Sequence, residues 1–343
     1  MKDLVAHLPA AVRDATGVAV ALREGSRELV LVGGTTGGRD PRPVTGRTRF
    51  ELGSLTKTFT GLLLADMVDR GEVRPTDPVL RHLPFGAAPH LGPEVTLEGL
   101  ATHTSGLPRL PPGLRRLAVR RWRTNPYRDF TGDDFAAALL RTRGRTPGAY
   151  RYSNLGVALL GEALSRAAGR PYAELLAERV LRPLGLTDTD CSPSAQVTGH
   201  LRGRPRPPWE MPGMPAAGAL RSSAVDVLRY LTAHLPPPTG PLARACADVA
   251  RPRASARDHD VCLVWNLRRR AGRELLFHSG GTRGCTAFAA FSPGAGTAFV
   301  ALANAGWTVD STFVHRSYEA AWSLVERAAS RPSRPLVSNT QDP

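Results

Sequence analysis

Ser54 and Lys57 stand three residues apart in Gly53-Ser54-Leu55-Thr56-Lys57, a spacing that puts a hydroxyl and an amine on one face of a helical turn. A serine hydroxyl is a poor nucleophile until a neighbour takes its proton. A lysine can do so where burial or nearby positive charge lowers its pKa from ~10.4. Composition singles this lysine out. Of 45 lysine and arginine residues only Lys2 and Lys57 are lysine, and Lys2 belongs to the N-terminus. Arginine holds its proton at any working pH, so the one lysine in the body of the chain marks a place where a neutral amine is needed. Ser-x-x-Lys also arises by chance, and the pair needs partners. Two further clusters qualify. Tyr150-Arg151-Tyr152-Ser153-Asn154 precedes a helical pattern, and His278-Ser279-Gly280-Gly281-Thr282 ends a strand pattern.

Other chemistries find little support. Cys191, Cys246, Cys262 and Cys285 form no Cys-x-x-Cys pair and are expected as buried thiols. The nine histidines show no His-Glu-x-x-His spacing, so neither a metal nor an organic cofactor is implied. A net charge of +15 raises the question of nucleic acid. Basic residues do cluster, at Arg115, Arg116, Arg120, Arg121 and Arg123, at Arg202, Arg204 and Arg206, and at Arg268, Arg269 and Arg270. No nucleic-acid-binding motif accompanies them, and the preference for arginine runs through the whole chain. An acidic partner or an anionic substrate on these patches is the better expectation, with no nucleic acid. No stretch approaches the ~18 apolar residues that span a bilayer. Met1-Lys2-Asp3-Leu4 is followed by no secretory-type apolar run, and a cytoplasmic location is expected.

The elements that must position these residues can be read from periodicity. Residues 3–15 read as a short amphipathic helix, then Val18–Arg23 and Glu28–Val32 as a hairpin. Ser54 opens a helix in which Phe59, Leu62, Leu63, Met67 and Val68 recur at helical spacing, with Gly71 as its stop. The free N–H groups of its first turn would face an anion forming at the serine. Asp133–Thr142, Leu155–Ala168 and Pro171–Leu181 read as helices between Pro/Gly loops, and no strand stands out from 80 to 215. Residues 192–217, with six prolines, read as a long loop over a cleft or a mobile segment. Strand character returns at Val261–Leu267, Arg273–His278, Cys285–Phe291 and Thr297–Ala303, before a final amphipathic helix at 311–328. Strands at both ends with helices between imply an α+β fold. One antiparallel sheet is flanked by helices and completed by both termini, with an all-helical lobe inserted. The sheet lobe takes residues 1–80 and 215–330, the helical lobe 81–214, and 331–343 form a disordered tail.

The three clusters, in order on suitable elements, resemble the signature motifs of the penicillin-recognising serine hydrolases. The similarity is to the branch of class C β-lactamases, D-aminopeptidases and related esterases, and it implies a β-lactamase/transpeptidase-like fold. Phe50–Ser54, Thr102–Pro108, Tyr152–Gly156, Pro183–Leu186 and Gly218–Ser222 support it, and the resemblance runs from about residue 15 to 328. It implies Ser54 as nucleophile and Lys57 as base. Tyr152, on the other side of Ser54, would act as a phenolate or as a proton relay with Lys57. Asn154 would bond Lys57 and a substrate carbonyl, and its plainer role is a helix cap. The backbone N–H groups of Ser54 and Gly281 would form the oxyanion hole. Gly280 and Gly281 would let substrate approach the strand closely.

Two departures narrow the activity. His278-Ser279-Gly280 stands where β-lactamases and carboxypeptidases carry Lys-Thr-Gly, and a mostly neutral histidine recruits a carboxylate less well. Leu110 aligns with the glutamine that holds the acylamide side chain in class C β-lactamases, and it cannot make those bonds. The expectation is a serine acyl hydrolase, a β-lactamase-related esterase or amidase, acting on a small-molecule ester or amide through acyl-Ser54. The alternative is an acyltransferase of the same family. A true β-lactamase, a D-Ala-D-Ala carboxypeptidase or a non-catalytic binding relative is less expected, the last because Ser54, Lys57, Tyr152 and Asn154 are all present.

Overall fold

The computed structural model of the chain describes residues 14–238, 240–308 and 311–330. The helix expected at 3–15 falls almost wholly outside them, as does the tail from 331. Strands are β1 (Gly17–Glu24), β2 (Arg27–Gly34), β3 (Arg49–Glu51), β4 (Gly199–Leu201), β5 (Arg204–Arg206) and β6 (Arg221–Ser223). Then come β7 (Ala254–Ser255), β8 (Asp260–Val261), β9 (Asn266–Arg270), β10 (Arg273–Gly281), β11 (Thr286–Ser292) and β12 (Thr297–Ala303). Helices are α1 (Thr56–Asp69), α2 (Leu97–Ala101), α3 (Leu114–Leu117), α4 (Gly132–Leu139) and α5 (Asn154–Ala168). They continue with α6 (Tyr172–Leu176), α7 (Ala224–Thr232), α8 (Ala243–Asp248) and α9 (Phe313–Ala329).

Eight strands form one antiparallel sheet in the order β2-β1-β12-β11-β10-β9-β8-β7, so both ends of the described chain build it. Alternation sorts the two faces. Val18, Val20, Leu22, Phe299 and Ala301 turn toward α9, meeting Phe313, Tyr318, Trp322 and Val325. Ala19, Ala21, Ala287, Ala289, Val300 and Leu302 turn to the other face, into the core that contains α1, α5 and α7. β11 and β12 are buried along their full length, as strands covered on both faces must be.

The other expected strands and long helices correspond to observed elements, with boundaries moved by a few residues, but the strand expected at Val261–Leu267 does not form. There β8 and β9 pair antiparallel, Val261 with Asn266, across a turn at Cys262–Trp265 in which Val264 adopts φ +70. Four further differences follow. The chain from 192 to 217 contains the hairpin β4–β5, whose Gly203 sits at φ +70, and a 3-10 turn at Pro215–Ala217. The strands are too short, and too rich in Pro and Arg, for alternation to show. Helix character begins at a 3-10 turn, Gly53–Leu55, with α1 starting at Thr56. The expected helix over Pro171–Leu181 is α6 followed by a π turn at Ala177–Leu181. Of the four cysteines, Cys246, Cys262 and Cys285 are buried, while Cys191 is half-buried.

Candidate active site

Helix α1 is buried on every side, from Thr56 through Met67. Lys57 therefore enters the core with the helix that carries it, and it has no exposed surface. Its Nζ lies 2.9 Å from Ser54 Oγ and donates to the Ala217 carbonyl at 2.5 Å. Burial, and after it the charge of Arg109, lowers the Lys57 pKa to about 7. Tyr152 reaches the same serine from the opposite element, its hydroxyl donating to Ser54 Oγ at 2.8 Å. Burial pushes the Tyr152 pKa up to about 12, against the opposing hydrogen bond to Ser54 and the charge of Arg109. The phenolate form expected as one option is thus disfavoured in the resting site, and Tyr152 stands as a phenol.

The Ser54 turn is held against the end of β10. A Cβ on Gly280 would sit 1.9 Å from the Leu52 carbonyl oxygen and 2.8 Å from the Leu55 nitrogen. One on Gly53, which adopts φ +50, would meet the Gly281 backbone at 2.7 Å. This corrects the expectation for the glycine pair. Gly280 is filled by the serine turn itself, and only Gly281, with Trp307 Cβ at 3.8 Å from such a Cβ, faces open space. Glu51 fastens the same junction. Its buried carboxylate accepts from Thr282 Oγ1 at 2.6 Å, from the Trp209 N–H at 2.7 Å and from Gln196 Nε2 at 2.9 Å. Thr282 Oγ1 in turn accepts from the N–H groups of Gly284 and Cys285, bracing the turn after β10.

Asn154 differs from expectation. The N-cap of α5 is Ser153, whose Oγ accepts from the Gly156 N–H at 2.8 Å, so Asn154 is the first helical residue. Its Nδ2 donates to the Tyr127 hydroxyl at 3.1 Å, and its buried Oδ1 has no partner. The bond expected to Lys57 is replaced by those to Ser54 and Ala217. Asn154 itself lines the cleft.

Two histidines flank Lys57. Burial, and then the charge of Lys57, lowers the His278 pKa to about 3, so it is neutral. His103 is likewise held well below the usual value by burial, then by Lys57 and His278. Its Nδ1 accepts from the Ser153 N–H at 3.3 Å and its ring lies 4.6 Å from that of Tyr152. Ser54, Tyr152, Asn154, His278, Ser279, Gly280 and Gly281 all line one cleft of about 650 Å³, with Leu110 also on its wall. Residues that sequence reasoning missed complete it: Arg109, Tyr127, Trp122, Trp209, Trp307 and Arg283. Arg109 directly follows a quoted motif, yet one arginine among so many carries no signal of its own. Among the described residues no cluster of His, Cys, Asp and Glu could hold a metal ion.

A serine turn packed on the end of an antiparallel sheet, with a lysine and a tyrosine each within hydrogen-bond reach of its hydroxyl, is an arrangement able to support acyl-enzyme chemistry. Comparison gives it a family. A family model described as Beta-lactamase matches residues 1–319, and the chain belongs to the beta-lactamase family of serine hydrolases. It is 33% identical over 228 residues to the D-alanyl-D-alanine-carboxypeptidase/endopeptidase AmpH of Escherichia coli strain K12, covering 64% of this chain and 58% of that protein. The chain thus spans less than two thirds of AmpH's length. Esterase EstB of Burkholderia gladioli is 30% identical over 271 residues, 68% of this chain and 69% of the esterase. A class C beta lactamase from Rhodobacter sphaeroides superposes with a TM-score of 0.80 over 95% of this chain and 100% of that one. At 24% identity that likeness shows the fold.

Proposed function

We propose that the protein hydrolyses an ester or amide through an acyl-Ser54 intermediate. The observation that supports this reading most is the placement of Ser54 Oγ between Lys57 Nζ at 2.9 Å and Tyr152 OH at 2.8 Å, with the Lys57 pKa lowered to about 7. Neutral Lys57 takes the Ser54 proton as Oγ attacks the substrate carbonyl carbon. The N–H groups of Ser54 and Gly281 receive the resulting oxyanion. Collapse breaks the bond to the leaving group, which takes a proton from Tyr152. The Lys57 ammonium then restores the phenol. In deacylation water gives its proton to Lys57, attacks the acyl carbon and releases the acid, and Ser54 recovers its proton. If an amine or alcohol enters in place of water, the same steps give acyl transfer.

Neutral His278 and apolar Leu110 favour esters over β-lactams, since the end of β10 offers no cation and the Leu110 position no amide contacts at the places where a cephalosporin would engage them. EstB carries esterase in its name, and AmpH carboxypeptidase, so both bonds have precedent among the relatives. A panel of p-nitrophenyl esters, D-amino-acid amides and a cephalosporin, with product analysis in the presence and absence of an added amine, tests the reading. Short-chain activated esters should turn over at least ~100-fold faster than the cephalosporin, with free acid as the product. Cephalosporin turnover equal to that of the esters would contradict the ester reading. An acylated amine as the main product would replace hydrolysis by transfer.

A further inference from the structure

Two arginines and no aspartate or glutamate line the cleft. Arg109 lies just past Gly106-Leu107-Pro108, and its own carbonyl accepts from the Asn154 N–H at 3.0 Å, which ties it to the start of α5. Its guanidinium lies 5.3 Å from the centroid of the Tyr152 ring. Arg283 stands two residues beyond Gly281, half-buried, with Nη2 donating to the Trp122 carbonyl at 3.0 Å. Both guanidiniums are close enough to Tyr127 to oppose, with the bond from Asn154, the burial that raises its pKa.

Acids in neighbouring segments are already engaged elsewhere. Asp129 pairs with Arg121, Glu210 with Arg128 at 3.6 Å, and Asp258 with Arg268. No ion pair to Arg109 or Arg283 is found among the described residues. Neutral His278 leaves the β10 side of the site without a fixed cation. The positive charge of the cleft therefore sits at Arg109 and Arg283, beside an aromatic wall of Trp122, Tyr127 and Trp209, where Tyr127 and Trp209 meet edge to face at 5.6 Å. Guanidiniums that face a cleft without an internal acid recruit an oxyanion, and partial exclusion of water by the aromatic rings strengthens that attraction.

We infer that the substrate is anionic: an ester or amide whose carboxylate or other oxyanion docks on Arg109 and Arg283, with its apolar part against Trp122, Tyr127 and Trp209. The inference rests on the acyl-hydrolase reading and names the substrate class of the same site. A matched pair of esters isolates the charge. Mono-p-nitrophenyl glutarate and p-nitrophenyl pentanoate share leaving group and acyl length, and they differ in one terminal carboxylate. The wild-type kcat/KM ratio, anionic over neutral, should be about tenfold or more at low salt. It should fall toward one in Arg109→Gln and in Arg283→Gln, and at high salt. Reading the ratio cancels any common effect of Arg109 on Lys57, and circular dichroism checks each fold. A wild-type ratio of one or below, or a ratio that survives both substitutions, overturns the inference.

A binding arm separates this from failure of the hydrolase reading. Folded Ser54→Ala protein is titrated with glutarate, inorganic phosphate and neutral glutaramide while tryptophan fluorescence is followed. A response to either oxyanion and not to glutaramide supports the anion site, and the stronger ligand identifies the oxyanion. Equal response to all three, or none, overturns it. If the wild type turns over neither ester while Ser54→Ala still binds selectively, the hydrolase reading fails and the anion site stands.

Discussion

At the scale of single residues, burial acts on the two partners of Ser54 in opposite directions and favours the uncharged form of both. It lowers Lys57 to about 7 and raises Tyr152 to about 12. In the proposed mechanism this separation of two pKa values matches the roles given to them, the amine as base and the phenol as acid. Acylation needs neutral Lys57, so its rate should climb about tenfold per pH unit below about 7 and level off above it. A pre-steady-state profile that stays flat from pH 5 to 9 would remove the base role. Lys57→Arg keeps the charge but holds its proton, and should lower the acylation rate by ~10³-fold or more in a protein that circular dichroism shows to be folded. Acylation within a few-fold of wild type would leave Tyr152 as the only activator. Tyr152→Phe should cost ~10²–10⁴ in rate. A near-normal rate with a lowered melting temperature would make that hydroxyl structural.

Among elements, the decisive contact is between the Gly53–Leu55 turn and the end of β10. The added methyl of Gly280→Ala would enter backbone, 1.9 Å from the Leu52 oxygen, which cannot rotate away. The strand must then retreat from the serine, and the variant should lose ~1–3 kcal/mol of stability along with most acylation. Gly281→Ala meets only Trp307, at 3.8 Å, and should keep a near-wild-type denaturation midpoint. Urea denaturation of the pair checks this, and equal destabilisation of both would mean that the close approach at Gly280 does not hold the junction. Element-scale features also divide what sequence could reveal. Ser54, Lys57, Tyr152 and Asn154 stand in short motifs beside strongly periodic helices, and those were legible. So were the apolar runs of β1, β11 and β12. The hairpin β4–β5 was not, because three-residue strands carry no alternation. Asn154's partner was not, because Tyr127 comes from a loop far off in the chain.

For the molecule as a whole, both ends of the described chain meet in one sheet and Ser54 sits where that sheet abuts the helical elements. That organisation was readable because strand character at the two ends brackets the helical middle. The cleft walls were not readable: Trp122, Trp209, Arg109 and Arg283 converge from separate loops, and each alone is an ordinary surface or core residue. If this convergence builds an acyl-enzyme site, one chain should carry one acyl group. The direct measurement is the intact mass of protein acid-quenched during turnover of a p-nitrophenyl ester, followed by peptide mapping, with Ser54→Ala in parallel. The account predicts a single acyl adduct on the peptide containing Ser54, formed with a stoichiometric burst of nitrophenol and absent from the folded variant. An adduct on another residue, or ester turnover that persists in Ser54→Ala, would contradict it.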